Sequence, residues 1–506
     1  MNISSGSGRR LIALSLGASA LLVFGAAHPP LPRARGFEGE AEKRDPKVID
    51  ALLERAASWP AMPEGGVKAP LDTLVSADFL VTPDPALEFQ PETQTEPHVA
   101  ANPERDGHLV AGYQEGRFFD GAARAVGFAV STDGGRRWRR GLMPGQSTLN
   151  GGTFQRTTDP WIAFGTGGRV YYSSLLTSGG VLDSLPVSVV TLSSSTDGGE
   201  SWSNPVIVYG RNNEFNDKEA VVVDTRDDSP YKGRVYVGWY TLLNGNWDLR
   251  IAHSTNDGQT FTPPVTLRGD GINSGIVPVV GPGGVLHAFW QHATRIGPNR
   301  YVDFVLWGAR SEDGGATWST PVEIASLGIS EVPDLRTGGI PSAAIDPSNG
   351  NLYITWQDDR YSRGVSQILF SRSTDGGRTW TSPKLISLGM KKAPSFTPAV
   401  AVNGKGEVGV SFYSLRNDRS RRYLADTFIV FSKNGGQTFG PARRLSRSTF
   451  DTRFAAVTFG GFFLGDYQGL AAGRQTFHPV WVGTSRISQN DPPARQSDVF
   501  TRAIKP

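Results

Sequence analysis

Acids and arginines recur at matching places along this 506-residue chain. Glu96, Asp159, Asp217, Glu219 and Asp466 stand at or just ahead of short apolar runs, in segments such as EPHVAANP (96–103) and DPWIAF (159–164). A second set follows later apolar runs: Glu115 with Arg117, Asp358 and Asp359 with Arg360, Arg416 with Asp418, and Arg486. If a fold brings both sets to one mouth, carboxylates face several guanidinium groups around a polar pocket. Carboxylates can move protons, and guanidinium groups hold anions through paired, charge-assisted hydrogen bonds. Taken singly, an acid before proline caps a turn and a loop arginine is merely solvated. The collective placement is what points to a site.

Other chemistries are set aside by what the chain lacks. It has no cysteine, hence no disulfide, thiolate metal site or cysteine nucleophile. It has no HExxH, GxSxG, phosphate-binding loop or dinucleotide fingerprint, and its seven histidines show no ligand spacing. No cofactor is called for. The acidic strand entrances offer oxygen donors for a structural calcium ion, but DTRDD (224–228) lacks EF-hand spacing. Net charge is +3, with both signs scattered, so no general attraction to nucleic acid or membrane follows.

The elements that must position these residues are repeats. One octapeptide occurs six times: STDGGRRW (131–138), STDGGESW (195–202), STNDGQTF (254–261), SEDGGATW (311–318), STDGGRTW (373–380) and SKNGGQTF (432–439). Successive copies start 64, 59, 57, 62 and 59 residues apart, roughly one four-stranded propeller blade with its loops. In each, Asp or Asn accepts backbone N–H groups, glycine supplies positive φ, and the aromatic residue folds back on the sheet. About 33 residues before each octapeptide begins a strand introduced by proline or its equivalent, then one ending in an aromatic, as in IPSAAIDP with NLYITW. A seventh unit, GDYQGLAA, TFHPVWVG and SDVFTRAI, lacks the octapeptide. The reading is an all-β chain: a β-propeller of four-stranded antiparallel blades, seven in number, with six as the alternative. An open last blade leaves unpaired edge groups, so a strand near Asp78 to Thr82 is expected to complete it.

In such a ring the entrance to each innermost strand and the exit from each second strand share a face. The octapeptide turns fall on the opposite face, near the rim, and read as structural.

The octapeptides resemble the Asp-box, or BNR, repeat of the sialidase superfamily, over most of residues 90–505. That resemblance implies a propeller acting on glycans, by exo-sialidase hydrolysis or as a non-catalytic surface binder of glycan or protein. Sialidase catalytic domains usually have six blades, so a seventh is a departure. Sialidase chemistry implies an arginine clamp, for which Arg117, Arg360, Arg416 and Arg486 are candidates. It implies a tyrosine nucleophile helped by a carboxylate, here Tyr467 beside Asp466, and an acid–base carboxyl, here Asp159 or Glu219, with Glu96 also facing substrate. The family's Phe/Tyr-Arg-Ile-Pro segment is missing, and Arg156 in QRTTDP is a loose substitute.

Residues 1–27 read as an export signal: Arg9 and Arg10, an apolar run from Leu11 to Ala27, and small residues Gly25 and Ala27 before a cleavage site. An uncleaved anchor is the alternative reading. Residues 28–75 form a Pro-rich linker with a short helix from Asp45 to Ser58, and the propeller takes 76–506. A secreted or periplasmic monomer with no membrane span after cleavage is expected.

Overall fold

The computed structural model describes residues 73–74 and 89–506, apart from 180–186, 212–213, 244, 298–299, 329, 331, 338, 390–391, 421 and 485–494. The expected signal, the linker helix, the strand near Asp78 to Thr82, and Arg486 lie outside the described residues. Within them the chain is all-β, its only helices single 3-10 turns. Among the described residues no helix is long and apolar enough to cross a membrane.

Each sequence unit folds as an antiparallel meander. Phe89–Ala101 pairs with Leu109–Phe118, which pairs with Ala123–Ser131, which pairs with Arg139–Leu142. The same order recurs from Arg156–Phe164, Phe215–Val223, Ile272–Val280, Ser342–Ile345 and Ser395–Val402. The first two meanders touch through one pairing, Ala123 with Thr157. The last sheet is assembled from both ends of the described chain: Gly469–Ala472, Phe477–Gly483 and Asp498–Thr501, with Thr73–Leu74 pairing against Asp498–Thr501. This edge pairing lies just before the segment around Asp78 to Thr82 expected to complete the sheet, which is outside the described residues. The first strand of each meander packs on the first strand of the next, and Gly469–Ala472 packs back on Phe89–Ala101.

The core lies between neighbouring sheets. Val110, Val126, Phe128, Ile162, Val170 and Tyr172, for example, fill the space between the first two. The aromatic expected at the end of second strands is the largest buried side chain of its sheet: Trp239, Trp290, Trp356 and Trp481 are at most 1% exposed.

The octapeptides are turns of one design. Ser131 donates its hydroxyl to Asp133 and accepts the N–H of Gly135, while Asp133 accepts the N–H groups of Arg136 and Arg137. Ser373, Asp375 and Gly377 repeat this, with φ +79° at Gly377. Trp138, Trp202, Phe261, Trp318, Trp380 and Phe439 are half-buried rather than enclosed, so each contributes less than a full core aromatic. Register places the turns far from the strand entrances: Ser131 pairs with Leu109, and Leu109 with Ala101, the end of the strand on which Glu96 stands.

The innermost strands share an irregularity. Register slips between Thr95 and His98, Thr158 and Trp161, Asp217 and Ala220, Ser274 and Val277, and Phe396 and Ala399. At each slip one residue is left-handed: Glu96 (φ 51°), Asp159 (54°), Lys218 (53°), Gly275 (68°) and Thr397 (49°). A bulge bends its strand and re-aims a side chain, and left-handed backbone costs a non-glycine residue about 1–3 kcal/mol.

Candidate functional site

The bulges deliver an acid, an acid and a lysine to one spot. Lys218 Nζ lies 2.8 Å from Glu96, 3.3 Å from Asp159 and 3.1 Å from Asp466. Asp466 is held on its other side by Arg336, whose Nε and Nη2 donate at 3.2 and 2.6 Å. Gln114 donates to Glu96 and to Thr158, whose hydroxyl donates to Asp159 at 2.8 Å. Tyr240 donates to Asp217 at 2.7 Å. All of these groups are buried.

Two members are incompletely satisfied. Arg117, 3% exposed, donates from Nη1 to the Gln114 amide oxygen at 2.6 Å; its Nε has no partner, and no ion pair among the described residues involves it. Glu219, 2% exposed, has neither carboxyl oxygen partnered. A buried guanidinium N–H and buried carboxyl oxygens left without a well-placed hydrogen-bond partner are costly, even though Glu96, Asp466 and Asp159 lie near Arg117.

The environment drives these acids apart. Burial pushes Glu96 up to about 8, against the pull of Lys218 and with help from Asp159 and Asp466. Burial likewise raises Asp159, Asp217 and Glu219. Asp466 is buried too, yet Arg336 and Lys218 outweigh that and hold its carboxyl below the ordinary range. One carboxyl therefore keeps its proton near neutral pH while its neighbour across the same ammonium stays ionised. Burial lowers the Arg117 guanidinium.

A separate three-stranded sheet covers this cluster. Leu335–Arg336 runs parallel to Gly461–Phe463, which pairs with Ala456–Thr458. Its Phe463 ring lies 4.5 Å from the guanidinium carbons of both Arg117 and Arg336.

Of the residues expected at a shared mouth, Glu96, Asp159, Asp466 and Arg117 meet around Lys218, with Asp217 and Glu219 beside them. Tyr467 is adjacent, its ring 5.5 Å from Lys218 Nζ. Its hydroxyl donates to the Pro160 carbonyl at 3.0 Å, and burial, then Glu96, Asp159 and Glu219, raise its pKa. Asp466, expected to assist it, is ion-paired with Arg336 and Lys218. Three expected clamp residues stand apart. Arg156 is tied to Asp120 at 2.5 Å and lies over Phe118, Arg360 is tied to Asp358 at 2.7 Å, and Arg416 is exposed on a loop. Asp418 braces that loop by accepting the N–H groups of Ser420, Arg422, Tyr423 and Leu424. The acids at these strand entrances enclose the Lys218 ammonium, and among the described residues no group of three or more His, Cys, Asp or Glu side chains is arranged to hold a metal ion.

Lys218, Gln114 and Arg336 are absent from the sequence reading. Lys218 carried a signal: it follows Asp159 by 59 residues, as Asp159 follows Glu96 by 63, so it occupies the repeat position of two named acids. Arg336 carried none, because the covering sheet interrupts the repeat.

Comparison with known proteins accords with the repeat reading. A family model described as a BNR repeat-like domain matches residues 184–458. A sialidase of Bacteroides fragilis is 23% identical over 288 residues, covering 51% of this chain and 49% of its own, so the chain spans about half the length of that relative. Among solved structures, the Hadza microbial sialidase Hz136 is 16% identical, with 78% of this chain and 76% of that one covered at TM-score 0.44. The intramolecular trans-sialidase of Ruminococcus gnavus is 13% identical, with 69% and 94% covered at TM-score 0.45.

Proposed function

The chain belongs to the BNR repeat-like domain family of sialidase-superfamily proteins, and from that premise we propose that it is an exported seven-bladed β-propeller hydrolysing a terminal glycosidic bond of an acidic sugar at its axis. The seven meanders and the cyclic packing of their first strands support the architecture. The BNR repeat-like family match over residues 184–458 supports the superfamily reading, and the axial cluster supplies the chemistry.

Glycoside hydrolysis needs one carboxyl that donates a proton and one that is ionised, and a pair driven apart by its surroundings marks that division. Here Glu96 is the donor and Asp466 the ionised partner, both on Lys218. The observation that carries the reading is Arg117. It is a buried cation with an idle Nε, placed for the carboxylate of an acidic sugar, while the idle oxygens of Glu219 accept that sugar's hydroxyls. Tyr467, its hydroxyl spent on Pro160, packs the site rather than attacking substrate.

The test is turnover of fluorogenic glycosides, with α-sialosides and uronides set against neutral pyranosides and furanosides. Acidic sugars alone are expected to be cleaved, Arg117→Gln to lower kcat/KM at least a hundredfold, and Tyr467→Phe to stay within tenfold of the parent. Turnover that survives Arg117→Gln removes the clamp.

A binding propeller is the second reading, favoured by the covering sheet and by how many of the charged groups already pair with one another. It predicts acidic glycans retained on an array with no turnover of any glycoside.

A further inference from the structure

Every charged group of the axial cluster is buried, and part of the chain itself lies against Arg117: the Phe463 ring packs 4.5 Å from the guanidinium carbon, on the three-stranded sheet that covers the cluster. We infer that the segment Val332–Arg336, together with the hairpin Ala456–Phe463, is a strap that must lift to admit a ligand, fastened at its outer end by Asp334 to Tyr423 and Arg422. This rests on the axial site being where ligand binds.

The strap shares the molecule's core, where Val332 and Leu335 pack in one buried cluster with Val99, Tyr113 and Phe396, but its backbone pairing is its own. Its three strands pair with one another and form no ladder with any meander. Its hydrogen bonds to the rest of the molecule come at a few points. Gln90 accepts the Val457 N–H at 2.6 Å and donates to the Val457 carbonyl at 2.8 Å. Arg336 grips Asp466 from inside. At the outer end Asp334 accepts the Tyr423 hydroxyl at 2.7 Å and pairs with Arg422. This fastening is the weakest. The Asp334 and Arg422 side chains are 24% and 52% exposed, and ion pairs open to water contribute little. Asp334 also holds a left-handed backbone, φ 63°, a strain that release would relieve. On the other side the strap joins the site through Gly465, at φ 135°, a conformation in which a side chain would strike the Glu96 backbone, so glycine is obligatory at this joint.

Binding and opening are coupled by Arg336. An anion seated at Arg117 competes with Asp466 for Arg336 and displaces Phe463, so it favours the lifted state in proportion to its preference for that state over the covered one.

The test uses hydrogen exchange on the full-length protein. Amides of Ala456–Phe463 are expected to exchange at least tenfold faster than those of the inner strand Ser395–Val402, and Asp334→Asn to speed them about a further tenfold without altering the octapeptide regions. Because the chain has no cysteine, a single Phe463→Cys gives a second readout: maleimide labelling should accelerate when Asp334→Asn is added. Exchange in 456–463 as slow as in 395–402, unchanged by Asp334→Asn, overturns the strap. Fast strap exchange without turnover or retention of any acidic glycan overturns the axial reading alone; turnover with a slow, unresponsive strap overturns the strap alone.

Discussion

A carboxyl that keeps its proton near neutrality makes the stability of its protein depend on pH, and Glu96 is such a group. Its folded pKa, about 8, lies above the ordinary carboxylate value of 4.5. The stabilisation it gives is therefore fully present below about pH 4.5, and is lost as pH rises through about 8. Asp159, Asp217 and Glu219 are raised as well and act in the same direction. Glu96→Gln imitates the protonated form, so it should cost little at pH 5 and flatten the fall in unfolding free energy between pH 5 and pH 8, measured in urea, by a few kcal/mol. A slope equal to that of the parent would show that Glu96 is not the proton-holding carboxyl. The sequence exposed these acids because they stand before apolar runs at a repeating interval. It hid Lys218, since a residue between two acids was read through its neighbours rather than its repeat position. The reactive role expected of Tyr467 is one that residue type alone does not separate from packing; the hydroxyl's bond to Pro160 is the observation that bears on it, and Tyr467→Phe is its test.

At the scale of elements the octapeptide was the most legible feature, because its turn is specified within eight residues. What it did not specify was burial. Trp380 lies edge-on to Phe289, ring centroids 5.5 Å apart, but is only half-buried, whereas Trp356 is fully enclosed. Trp356→Ala should then cost about 4 kcal/mol and Trp380→Ala about 2, read from denaturant midpoints. Equal costs would mean that the turn aromatics are core residues after all. The aspartates of these turns respond to acid in the opposite sense to Glu96. Hydrogen bonds from hydroxyl and backbone donors, outweighing some desolvation, hold Asp197, Asp313 and Asp375 at about 2. Their contribution is present above the ordinary carboxylate range and lost as pH falls towards 2. The strap has no counterpart in the sequence reading, since Leu335–Arg336 is two residues long and its partner hairpin lies more than a hundred residues away.

For the molecule as a whole, the proposed ring requires that its last sheet be completed by distant chain. Asp498–Thr501 pairs on one side with Phe477–Gly483 and on the other with Thr73–Leu74, in the register Thr73 to Thr501 and Leu74 to Phe500. The hazard of an open edge makes such a strand legible in the sequence as a need, while its position is not, because no hydrophobic pattern distinguishes a two-residue strand from its surroundings. Two truncations separate the roles of this segment. Removing residues 1–70 spares the pairing, whereas removing 1–76 exposes a buried strand whose N–H and C=O groups then face water or another chain. The shorter deletion should leave Tm within about 2 °C of the parent, and the longer should lower it by roughly 5 °C and promote concentration-dependent aggregation, as expected when a few kcal/mol is lost from a large domain. The axial cluster gives this whole-molecule effect a local readout. Gly469–Ala472, the inner strand of the same sheet, follows Asp466 by three residues, so loosening the sheet loosens the carboxylate that Arg336 and Lys218 hold. The longer deletion should accordingly weaken acidic-glycan turnover or binding even at temperatures where the protein remains folded, while the shorter should not. Identical melting and identical ligand response for the two truncations would mean that the last sheet stands without its N-terminal strand.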